Sequence, residues 1–100
     1  MRVQYNVRMH FEWDPAKARA NLRKHRISFE QAKTVFYDES AVQFFDEDHT
    51  PDEERFIMLG MSSDARMLVV CHCERVESEV IRIFSARKAT RNEASFYRGG

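Results

Sequence analysis

The chain has no run of eighteen consecutive apolar residues, and no apolar N-terminal stretch leads into a small-residue cleavage site. Neither a helical membrane span nor secretory processing is expected on this reading, and the cytosol is the expected location. Cysteine is scarce: Cys71 and Cys73 stand one residue apart. On a strand both point to the same face, where closing so small a loop would strain a disulfide. Two thiols are also an incomplete zinc site, and His72 points the other way. Two buried, reduced thiols are expected, as in a reducing compartment. Repeats, low-complexity tracts and linkers are absent too. One hundred residues, 43% hydrophobic with eight Phe, suffice for one modest core and leave no room for a second. A single domain over 1–100 is expected, with 1–10 as a frayed leader.

Net charge is also missing, since sixteen cations balance sixteen acids. The zero conceals a sorted distribution. Residues 1–37 carry a balance of +5, residues 38–54 carry −8 with no Lys or Arg, and residues 55–100 carry +3. Two basic ends that meet in space make a patch suited to a polyanion, and the acidic segment suits a basic partner. That segment holds Asp46, Asp48, His49 and Asp52, but no Gly for the sharp turn of a calcium loop. A solvated hairpin loop is expected over Asp46–Glu54, with no metal and no cofactor.

Phe11–Trp13 reads as a short strand, after which Asp14 is a good N-cap and Pro15 a good first helical residue. The first helix is expected to run to about His25, burying a thin stripe of Ala16, Ala20 and Arg23 with Asn21 and Leu22 beside it. Ser28 and Gln31 form a capping box for a second helix ending near Tyr37, with Phe29, Ala32 and Phe36 on its apolar face. Strands follow over Ala41–Phe45, Arg55–Met61, Met67–Cys73 and Glu79–Phe84. The third of these is apolar on both faces and belongs at the centre of the sheet. Connections this short make consecutive strands antiparallel. Thr90 and Glu93 form a further capping box, starting a last helix that runs to about Tyr97. The fold class is α+β: a small antiparallel sheet with two N-terminal helices and a C-terminal helix.

Two cation clusters carry the functional reading. Arg82, Arg87, Lys88 and Arg91 crowd the junction between the last strand and the last helix. Arginine forks match phosphate geometry bidentately, so the junction suits a phosphate. Arg82, inside the strand between Val80 and Phe84, is hardest to explain as a plain surface residue. The second cluster, Arg23, Lys24, His25 and Arg26, closes the first helix. There the cations complement the helix dipole, and His25 adds an imidazole able to take a proton from a ribose hydroxyl. Glu93 could exchange a proton as well, but its place in a capping box accounts for it structurally.

Phe11-Glu12-Trp13-Asp14, then Lys17, Asn21, Lys24-His25, Phe29 and Ala32, with Arg82-Ile83-Phe84-Ser85-Ala86-Arg87-Lys88-Ala89-Thr90, Glu93 and Tyr97, resemble the BrnT toxins of bacterial type II toxin–antitoxin systems. The resemblance covers about Phe11 to Tyr97. It implies a RelE-like fold and a metal-independent ribonuclease that arrests translation. It also implies a BrnA-type antitoxin that neutralises the toxin and binds operon DNA, with a homodimer or a heterotetramer with antitoxin as the assembly. Two positions depart from the pattern. Arg26 stands where such toxins often carry Gly, so a different turn can end the first helix, and Phe84 replaces an aliphatic residue. The implied site places Lys24, His25, Arg82, Arg87, Arg91 and Tyr97 at the chemistry and Arg23, Arg26 and Lys88 on the RNA. Deprotonation of a 2′-hydroxyl falls to His25 or Lys24, the phosphate to Arg82, Arg87 and Arg91, and stacking, donation or positioning to Tyr97 or Lys88. The competing reading is a non-catalytic basic module that only docks RNA or a partner.

Overall fold

The computed structural model describes residues 9–46 and 54–97. Of the expected leader, residues 1–8 lie outside the described residues, as do residues 47–53 of the acidic loop. His10 already belongs to the first strand.

Five strands form one sheet in the order β1-β5-β4-β3-β2: β1 His10–Glu12, β2 Val42–Asp46, β3 Arg55–Met61, β4 Met67–Arg75 and β5 Val80–Lys88. The sheet is mixed, which corrects the all-antiparallel expectation. β2 to β5 pair antiparallel, as their short connections require, whereas β1 pairs parallel to β5 with His10 opposite Val80 and Glu12 opposite Arg82. The chain between β1 and β5 is long enough for a crossover, so the short-connection argument never applied to that pair. β4 is central, as its two-sided apolarity predicts.

The helices are α1 Pro15–His25, α2 Phe29–Thr34 and α3 Arg91–Ala94; a 3-10 turn, Val35–Tyr37, tightens the end of α2. All three begin as their caps dictate. The Asp14 carboxylate accepts from the Ala16 N–H at 2.8 Å, and the Ser28/Gln31 and Thr90/Glu93 capping boxes are both closed. α3 is shorter than its expected extent to Tyr97. α1 stops at Arg26 in a left-handed conformation, φ 62°, with its N–H donating to the Leu22 carbonyl. That is the turn a glycine would favour, so Arg26 adopts it at some steric cost rather than redirecting the chain.

α2 and the 3-10 turn lay Phe29, Ala32, Val35 and Phe36 on the sheet face formed by Met58, Leu68, Val70, Ile81, Ile83 and Ala86. His72 is fully buried on that face, its Nε2 3.0 Å from a Glu74 carboxylate oxygen. Gly60 is required by close approach, because a Cβ there would lie 2.8 Å from Val35 Cγ1 and 2.9 Å from Ala41 Cβ. Cys71 and Cys73 are free thiols on the opposite face. Burial and the nearby Asp46 carboxylate push the Cys71 thiol up to about 11, which keeps it protonated.

α1 corrects the expected stripe. Ala16, Ala20 and Arg23 are exposed, and the inward face is Ala18, Asn21 and His25, with Asn21 only 7% accessible. β1 is so short that the second half of β5 has no neighbouring strand on that side among the described residues. Asn21 supplies what is missing: its Nδ2 donates to the Ala86 carbonyl at 2.8 Å and its Oδ1 accepts from the Ala86 N–H at 3.1 Å. Nδ2 also donates to the Ile27 carbonyl at 3.0 Å.

Candidate functional site

β5 runs to Lys88, four residues past its expected end, because pairing with β4 continues across a bulge. Cys71 lies opposite Ser85 and His72 opposite Ile83, so Phe84 is the extra residue. The insertion shifts the side-chain alternation by one. Ile81, Ile83 and Ala86 therefore all face the core, while Arg82 and Arg87 both face the open side of the sheet. Five residue steps along the strand still separate these two arginines, roughly 16 Å at the usual rise. Arg82 sits near β1, where its Nη1 lies 3.6 Å from Glu12. The junction cluster is thus spread along the strand rather than gathered at its end.

The other candidates converge. Asn21 holds the last turns of α1 against Ala86, and Arg66 Nη1 donates to the Arg26 carbonyl at 3.3 Å. These contacts bring Lys24, His25 and Arg26 to the end of the sheet where β5 finishes with Arg87 and Lys88 and α3 starts with Arg91. Arg23 and Lys24 are exposed, His25 is partly buried, and Lys88 and Arg91 are exposed. Among the described residues no carboxylate pairs with Lys24, Lys88 or Arg91.

Arg87 is held rigidly. Its Nη1 and Nη2 each donate to a different Glu93 carboxylate oxygen at 2.7 Å. Those hydrogen bonds, with one from the Thr90 N–H, lower Glu93 to about 2 and raise Arg87. Glu93 is therefore ionised and serves α3 as cap and Arg87 as clamp. The Thr90 and Glu93 N–H groups are spent inside the capping box, and a helix of four residues adds little dipole.

The Tyr97 hydroxyl donates to Asp38 at 2.6 Å, and Asp38 also accepts from the Met61 and Ser40 N–H groups. Burial would raise the Asp38 carboxyl, but these hydrogen bonds outweigh it and hold the group below its ordinary value. Burial, and then the bond to Asp38, push Tyr97 up to about 12. The phenol is a tie between α3 and the β3 end, and a weak acid.

Beside Arg87, on the open face, lies a hollow of about 210 Å³ floored by Leu59 and Val69 and flanked by Phe44 and Phe96. Among the described residues no group of three or more His, Cys, Asp or Glu is placed to hold a metal. Three positioning residues were given no site role from the sequence: Asp38, and Asn21 and Glu12, which stood only in the motif that carries the family resemblance. For Asn21 the signal was its position, a polar residue three after Ala18 and four before His25, on the helical line that ends at the basic cluster.

The ribonuclease toxin model, BrnT, of type II toxin–antitoxin systems matches residues 13–93. No curated protein sequence matches the chain. Among solved structures, the crystal structure of the ribonuclease toxin BrnT from Brucella abortus is similar, with a TM-score of 0.62 and 25% identity over 83% of this chain and 99% of that one. The basic end of the sheet thus sits within a known protein family, and the chain belongs to the BrnT ribonuclease toxins of type II toxin–antitoxin systems.

Proposed function

We propose that this chain is a metal-independent, cytosolic endoribonuclease acting as one RelE-like toxin domain. It arrests translation until a BrnA-type antitoxin neutralises it, and it meets operon DNA only through that antitoxin, as a homodimer or in a heterotetramer with it. Membership of a type II toxin family supports an RNA target and a protein antitoxin. The observation that carries the mechanism is Asn21, whose hydrogen bonds to Ala86 fix the Lys24-His25 end of α1 beside Arg87 and Lys88.

Attack of a ribose 2′-oxygen on the adjacent phosphorus breaks the bond to the 5′-oxygen and leaves a cyclic phosphate. His25, with Lys24 beside it, takes the 2′-hydroxyl proton. Arg87 and Arg91 neutralise charge on the phosphorane, and Lys88 protonates the departing 5′-oxygen. Tyr97 positions α3 rather than donating a proton, in keeping with its raised pKa. Arg23 and Arg26 contact the RNA backbone, and Arg82 meets a more distant part of the strand.

Incubation of the protein with single-stranded RNA in EDTA, followed by analysis of the fragment 3′-ends, tests this. Cyclic-phosphate ends are expected, slowed ~10²–10⁴-fold by His25→Ala and ~10²–10³-fold by Arg87→Ala. RNA that is bound but stays intact would instead identify a docking module.

A further inference from the structure

We propose that the outward face of α1 is a track for the sugar–phosphate backbone of the RNA, formed by Arg19 and Arg23 and closed by Arg26. This surface serves the ribonuclease reading above, on which it rests, and adds Arg19 to the RNA contacts. α1 holds Lys17, Arg19, Arg23 and Lys24 and no acid. All four are exposed, as is Arg26 at the cap. Other cations of the protein are matched with acids: Arg66 with Asp64 at 3.2 Å, Arg75 and Arg82 with Glu12 at 3.8 and 3.6 Å, and Arg87 with Glu93 at 2.7 Å. Among the described residues no carboxylate pairs with any of the five cations of α1 and its cap.

Helix stability does not account for these charges. Cations favour a helix within its last turn, which covers Arg23 and Lys24. Lys17 stands in the first turn, where the dipole opposes it, but its Nζ lies 5.4 Å from the centre of the Phe84 ring. Arg19 is mid-helix, with neither dipole nor ring, and the inward face is made by Ala18, Asn21 and His25 without it. Arg19 and Arg23 are moreover like charges one turn apart, which weakens a helix. A polyanion reverses that penalty. Arginine forks favour phosphate in particular, and the exposed Ala16 and Ala20 put no bulk in the way of a strand. Leu22, 49% exposed, is the only large apolar side chain exposed on α1, too little for a face that enters a membrane. The track ends where Asn21 holds the helix against Ala86, so a strand seated on it continues into the proposed site. Arg19 lies seven residues before Arg26, which extends the bound strand by roughly 10 Å.

The test titrates the full chain with a 2′-O-methyl RNA of about ten nucleotides, which lacks the attacking hydroxyl, over a range of salt concentrations. Arg19→Gln is expected to reduce the slope of log affinity against log salt by about 0.7, and the Arg19→Gln, Arg23→Gln double variant by about 1.4. Arg19→Lys should keep the wild-type slope, because it keeps the charge. Thermal melts should show Arg19→Gln at least as stable as wild type, since it relieves a like-charge pair. A slope unchanged in the double variant would overturn the track and leave the ribonuclease reading intact. Variants that weaken binding of a polyglutamate peptide but not of RNA would overturn it too, giving the face to an acidic protein. A wild-type chain that neither binds this RNA nor cleaves unmodified RNA in EDTA would overturn both.

Discussion

Asn21 does the work of a peptide unit. Its carboxamide gives Ala86 one donor and one acceptor, the pair that a neighbouring strand would have offered, and so seals an open sheet edge with a helix. Replacing it with Leu keeps the volume and strands three buried backbone bonds, each worth roughly 1 kcal/mol net and more where water cannot reach. Asn21→Leu is expected to lower stability by about 2–3 kcal/mol in urea unfolding. A loss under about 0.5 kcal/mol would mean that the edge is hydrated and that Asn21 fixes nothing.

At the level of elements, α3 is too short to persist alone and depends on three ties: Glu93 to Arg87, Phe96 to Phe44, and Tyr97 to Asp38. The first is sensitive to acid. Glu93 is depressed from 4.5 to about 2, so its contribution is complete above pH 4.5 and is lost as pH falls toward 2. Wild type should exceed Glu93→Gln by about 0.5–1 kcal/mol at neutral pH, a modest figure because the pair is partly exposed to water. Melting curves of the two proteins should converge between pH 4.5 and 2; a constant gap would refute the pairing. Helix starts and the central place of β4 were legible because caps and alternation are local. The bulge at Phe84 was not, since it shows only when β5 is laid against β4. Nor was the inward face of α1, where one satisfied amide outweighs two exposed alanines.

For the molecule as a whole, sorted charge matters more than the zero sum. RNA held at the basic end should bind with an affinity that falls steeply with salt, as phosphate contacts release counterions. Lys88→Ala should weaken binding to all sequences alike and reduce the slope of log affinity against log salt by about one. A slope unchanged by that substitution would remove Lys88 from the RNA surface.

The parallel pairing of β1 with β5 joins His10 to Val80, and Asn21 reaches 65 residues ahead to Ala86. Neither contact exists until the last strand has been synthesised. A nascent chain can carry its capped helices early, yet the basic end of α1 has nothing to be held against while β5 is still inside the ribosome. In a chain whose family is named for attack on RNA, the proposed site thus stays incomplete until β5 has emerged.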